Sequence, residues 1–188
     1  MKRLFLILIL TFSFQSLTKA DDIKDFEIEG MSVGDSLLNY FSNAEIENAF
    51  DESSEDRIYI VKNFIEKNKF KNYEALQISY KATDKKMIIT SIGGVITFAN
   101  KIDECKNKMY QIDIELTNLF PTVARKDWGK YDNHDKTGHY FPITFDFDDS
   151  SMVMVSCHDW NEQTKINDNL KVTIAEANYA SYVKNQNL

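Results

Sequence analysis

The sequence predicts an α+β fold: an antiparallel sheet of about five to six strands, one long amphipathic helix packed on one face, and short helices at the N-terminal end. Three observations predict it. Six runs rich in β-branched and aromatic residues (58–61, 73–82, 87–99, 140–147, 152–158 and 170–175) fall into hairpin-like pairs. A single stretch places Ile102, Cys105, Met109, Ile112, Leu116 and Leu119 at spacings of 3, 4, 3, 4 and 3, the signature of one helix face. The only two cysteines, Cys105 and Cys157, each sit on an apolar stripe of their element.

Taken in order, residues 30–35 form a turn-rich entry to a short apolar helix over 36–41, with Asp35 or Ser36 as its cap. Ser42-x-x-Glu45 is a capping-box pattern that starts a second short helix. Residues 51–56 (Asp-Glu-Ser-Ser-Glu-Asp) read as a solvated acidic turn. Thr83-Asp84-Lys85-Lys86 supplies the turn between the second and third strands, and Gly93-Gly94 inside the third suggests a bulge or sharp bend. Asn100 is the expected cap of the long helix, which ends before Pro121. A long polar connection, 123–138, leads to a strand in which Ile143, Phe145 and Phe147 share a side. In the next strand Val153, Val155 and Cys157 share a face, the orientation needed for Cys157 to meet Cys105 beneath the helix. A short helical stretch over 179–183 follows the last strand.

Residues 1–20 have the three-part layout of a secretory signal peptide: Lys2 and Arg3, a nearly unbroken apolar run over 4–14, and Thr18-Lys19-Ala20 as a small-residue exit. The run is too short for a bilayer core about 30 Å thick, and no Cys near Ala20 offers a lipid anchor. Cleavage after Ala20 leaves 21–188 as one exported α+β domain, periplasmic or extracellular, with no stable membrane anchor. It also removes three of the 22 basic residues and none of the 29 acidic ones, taking the net charge from −7 to −10. A surface that acidic repels phosphate backbones, which argues against nucleic acid as a partner. In an oxidising compartment Cys105 and Cys157 read as a disulfide. No cofactor-binding pattern is present in the sequence.

The strings FEIEGMSVGDSLLNYFS (26–42), ITSIGGVITFANKIDEC (89–105) and VMVSCHDW (153–160) resemble a family of exported small α+β proteins of AT-rich marine bacteria that has no assigned activity. The resemblance implies export and a one-domain fold. The helix entry at 30–38, followed by hairpin and helix, also looks like small periplasmic modules of the outer-membrane-assembly and β-lactamase-inhibitor-like kind, which bind other proteins.

Gly34-Asp35-Ser36-Leu37 matches the name-giving string of the GDSL esterases, a resemblance that implies Ser36 as nucleophile. The oxyanion block and terminal Asp-x-x-His pair of those enzymes are missing, so a helix cap is the competing reading. His134 lies in the 123–138 connection with Asp132 and Asp135, and His139 directly follows it; together they could gather a divalent cation or small ligand if His158 approached, although the spacing matches no common zinc pattern. Trp128 and Trp160 each follow an aspartate near element ends, where an aromatic either seals the core or offers a platform to a partner. The expectation is a non-catalytic module that binds a protein or envelope component between the 123–138 connection and Trp160, with Trp128, Trp160, His139 and His158 as binding residues. The alternatives are a small esterase and a carrier of a small ligand or metal.

Overall fold

The computed structural model describes residues 22–65, 69–133 and 136–186. The proposed signal peptide and His134 lie outside the described residues. Among these residues nine strands join one sheet, each described pairing antiparallel, with three α-helices. The strands are β1 (Phe50–Asp51), β2 (Tyr59–Phe64), β3 (Ala75–Lys81), β4 (Ile89–Thr97), β5 (Ala124–Asp127), β6 (Tyr131–Asp132), β7 (Gly138–Asp146), β8 (Met152–Trp160) and β9 (Asn169–Ala175). The helices are α1 (Asn43–Asn48), α2 (Ile102–Leu119) and α3 (Ala177–Gln186). The sheet runs β1-β2-β3-β4-β9-β8-β7-β5, with β6 also on β7. Two meanders, one on each side of α2 in the chain, are thus zipped together where the last strand pairs with β4.

Nine strands replace the five to six expected, and the difference has one cause. The additional strands β1, β5 and β6 are exposed at every position. With no buried side they carry no alternating pattern, so nothing in Ala124-Arg125-Lys126-Asp127 marks a strand. The 123–138 connection is therefore largely sheet edge, folded back onto β7. Charged side chains along β5 suit an edge that must not recruit further strands.

The capping box is present: the Ser42 hydroxyl accepts from the Glu45 amide while the Glu45 carboxylate accepts from the Ser42 amide at 2.7 Å. The segment after Gly34 forms only a 3-10 turn, Leu37–Asn39, and Ser36 makes no side-chain cap bond to it. Asp35 instead accepts from the Ser32 amide and the Tyr40 hydroxyl, closing the turn from outside. Asn100 does not cap α2; Lys101 holds that position, and Asn100 sits at φ +62° in the link from β4, a conformation asparagine tolerates. The register break in the sheet lies at Ser79/Tyr80, not at Gly93-Gly94, which pair in step with both neighbours.

Cys105, Met109 and Leu116 of α2 share a buried core with Val153, Val155 and Cys157 of β8 and with Leu170, Val172 and Ile174 of β9. Cys105 and Cys157 stand at disulfide distance, their Cα atoms 6.0 Å apart. The same helix buries Asp113, 7% exposed, which accepts two hydrogen bonds from the Arg125 guanidinium at 2.6 and 2.7 Å. This fork ties edge strand β5 to α2. On the opposite face α3 seats Ala180 and Tyr179 against Met152, Met154 and Ala175, and Tyr179 meets Tyr59 edge-on at 5.0 Å. No helix among the described residues is long and apolar enough to cross a membrane.

Replacing both cysteines by Ala is expected to cost about 4 kcal/mol, from the loop of roughly 50 residues the bond closes, measured by denaturant unfolding. Asp113→Ala is expected to cost about 2 kcal/mol, because Arg125 then loses the carboxylate that satisfies it in a half-buried setting; a melt unchanged from the parent protein would show the fork to be ornamental.

Candidate functional site

Cys157 and the two valines before it point towards α2, so period-two alternation sends Ser156, His158 and Trp160 to the other face of the sheet. The β7–β8 register sets Tyr140 opposite His158, Pro142 opposite Ser156 and Gly138 opposite Trp160. Tyr131 pairs with Tyr140 in turn, and the Trp128 amide donates to the Pro142 carbonyl at 3.1 Å. Five rings thereby form a row across three strands. Centroid distances along it are 6.2 Å (Trp128–Tyr131), 5.6 Å (Tyr131–Tyr140), 5.8 Å (Tyr140–His158) and 5.9 Å (His158–Trp160). The last three rings are nearly parallel, at interplanar angles of 13° and 14°. Gly138 is needed where it stands: a Cβ there would collide with the Asp159 carbonyl and lie 3.0 Å from the Trp160 Cα.

The row is held rather than loose. The Trp128 indole N–H donates to the Thr144 hydroxyl at 3.0 Å, which donates onward to Asp146. The Lys126 ammonium lies 3.2 Å above the Trp128 ring, covering one face as a cation–π contact. Trp128 and Tyr131 remain 38% and 41% exposed, so this end of the row serves as surface and not as a core seal.

Beside the rings the face turns polar. Lys171 and Thr173 of β9 pair with Ser156 and Met154 of β8 and share their side of the sheet. The Lys171 side chain crosses β4 above Gly93 to donate to the Gln77 side-chain oxygen. Gln77 and Asn63 both donate to Glu52, at 2.5 and 2.8 Å, so a polar chain runs from β9 to the β1 edge. Ser156 is fully buried beneath this layer, its hydroxyl 3.1 Å from His158 Nε2. Burial, and then the Lys171 charge, push His158 down to about 4, leaving the imidazole neutral at pH 7. Burial likewise lowers Lys171, against an opposing pull from Glu52. Among the described residues three buried side-chain atoms have no hydrogen-bond partner, Trp160 Nε1, Thr173 Oγ1 and Ser79 Oγ.

Of the residues singled out in the sequence, Trp128, Trp160 and His158 come together on this face. His139 does not: it precedes Tyr140 and so faces the other way, where its Nδ1 lies 2.7 Å from Asp132. With His134 outside the described residues, no group of three metal-ligating side chains gathers among those described. Ser36 is remote from the row, and its hydroxyl donates to the Lys86 carbonyl at 2.7 Å. Two clefts lie elsewhere. Asp51, Arg57 and Lys62 line one, already paired with each other; Asp22, Asp146, Asp148 and Asp149 line the second.

Sequence reasoning missed Tyr131, Tyr140, Ser156, Lys171 and Gln77. The alternation that placed Val153, Val155 and Cys157 inward already implied Ser156-x-His158-x-Trp160 on the outer face. Compared with protein-family models, curated protein sequences and solved structures, the chain matches none. The functional reading therefore rests on the geometry of this face.

One pH response follows. The folded-state pKa of His158, about 4, lies below the ordinary 6.5, so the unfolded chain binds more protons between those values. The stability from the neutral imidazole is complete above pH 6.5 and is lost as pH falls through 4, about 3 kcal/mol in all. His158→Phe keeps a ring and should flatten that limb of the stability–pH curve; an identical limb in the variant would refute the assignment.

Proposed function

We propose that this chain is an exported, non-catalytic binding module whose contact surface is the row formed by Trp128, Tyr131, Tyr140, His158 and Trp160. The observation that carries the reading is the row itself. Five rings from four neighbouring segments, on the sheet face opposite the cysteine pair, include both tryptophans of the chain. Aromatic side chains give large contact area at low entropic cost and dominate binding energies. The sheet holds them in place before any partner arrives, which lowers the cost of association.

Export stays part of the reading. The expected signal layout at residues 1–20 supports it, and a cysteine pair at disulfide distance is compatible with an oxidising compartment. The partner is then a protein or another component of the cell envelope. Crosslinking the tagged mature protein in its own cells should capture a stoichiometric partner. The Trp128→Ala/Trp160→Ala double variant, if its melt matches the parent, should reduce that capture by more than about tenfold, as loss of two hot-spot aromatics requires. Undiminished capture by the folded variant would place the contact surface elsewhere.

A further inference from the structure

Lys171 reaches across the sheet to an amide and not to an acid. It stands on β9 opposite Val95, yet its side chain crosses β4 above Gly93, and its terminal nitrogen donates to the Gln77 side-chain oxygen on β3. The crossing depends on glycine, because a Cβ at position 93 would lie 2.8 Å from Lys171 Cε. None of the described ion pairs includes Lys171. The Glu52 carboxylate sits instead beyond the amide, where it accepts from Gln77 Nε2 at 2.5 Å and from Asn63 Nδ2 at 2.8 Å. Amine, amide and carboxylate therefore stand in series.

That order is the wrong one for a salt bridge and the right one for acyl transfer. An ion pair would set the carboxylate directly against the ammonium. Here the amine faces the amide carbonyl, while the carboxylate holds the amide nitrogen, which is the leaving group. Burial lowers the affinity of Lys171 for its proton, with Glu52 pulling the other way. An amine that has shed its proton is a nucleophile. Two groups fixed against each other by a folded sheet need no activated acyl donor, since effective molarities reach about 10⁵–10⁸ M.

We propose that Lys171 and Gln77 condense into an intramolecular isopeptide bond, with Glu52 carrying the proton. The bond from Lys171 Nζ to Gln77 Cδ forms, and the bond from Gln77 Cδ to Nε2 breaks. One proton passes from Nζ to Nε2 by way of the Glu52 carboxylate, which is regenerated, and ammonia leaves. The balance calls for no oxidant and no second substrate. The product links residues 94 apart in sequence and ties β3 to β9 over β4, at the seam where the two meanders meet. This modification site goes beyond the binding reading and does not depend on it.

Mass spectrometry of the purified mature protein, with its cysteines reduced, reads the bond directly. The expected mass lies below the sequence mass by one ammonia, about 17 Da. Trypsin does not cut after an acylated lysine, so residues 72–81 and 166–184 should emerge as one branched peptide. Glu52 is exposed, so Glu52→Gln should leave the fold intact, and it removes the proton carrier. It is expected to yield at least tenfold less branched peptide. Lys171→Met keeps the stem across Gly93 and should restore the full mass expected for its sequence. A folded parent protein at full mass with only linear peptides would overturn the cross-link, as would a deficit retained by folded Lys171→Met. Undiminished branched peptide from Glu52→Gln would overturn the role given to Glu52.

Discussion

Cys157 points at Cys105, and because side chains alternate along a strand, that one pairing decides the facing of every residue in β8. Val153 and Val155 follow it into the core, while Ser156, His158 and Trp160 are turned to the opposite side. The register then propagates outwards. Tyr140 is brought level with His158, Tyr131 with Tyr140, and Lys171 with Ser156. A slip of one residue between β7 and β8 would bury these rings under α2 and expose Ile143 and Phe145, which are fully buried. The cost of that exchange is several kcal/mol at about 1.5–3 kcal/mol for each large apolar side chain. The core thus fixes the face that carries the rings without touching it.

The two faces are built on different physics. On the side of α2 the sheet is apolar and sealed, and the partly buried ion pair of Asp113 with Arg125 is satisfied in fork geometry. On the other side α3 covers only the end near Met152 and Ala175. The remainder is roofed by long side chains, with Lys171 crossing β4 and the Tyr140, His158 and Trp160 rings stacked in sequence over β7 and β8. This arrangement buries Ser156 and Thr173 without a second layer of structure.

Much of the scaffold was legible in the sequence. The six half-buried strands, the long helix stripe, the capping box at Ser42 and the facing of the two cysteines all follow from apolar period and local hydrogen-bonding chemistry. Strands β1, β5 and β6 were not, since a strand exposed on both sides has no period to read. Gly93-Gly94 was legible as an anomaly but not as its cause: Tyr73 packs against one glycine and Lys171 crosses the other, contacts between segments far apart in the chain. The site divides the same way. Trp128, Trp160 and His158 stood out by residue type, whereas Tyr140 and Lys171 became part of it only through cross-strand register, which a single sequence does not encode. His139 stood out equally and lies on the wrong face, by one step of the same alternation.

The shared face of Tyr140, His158 and Trp160 is the point on which the proposed binding surface stands, and proton NMR of the mature protein tests it most directly. Cross-relaxation from the His158 ring to the rings of both Tyr140 and Trp160 is the expected result, with none to Met109 of α2. Cross-relaxation from His158 to Met109, or Tyr140 and Trp160 without contact to His158, would contradict the register and remove the row of rings as a surface.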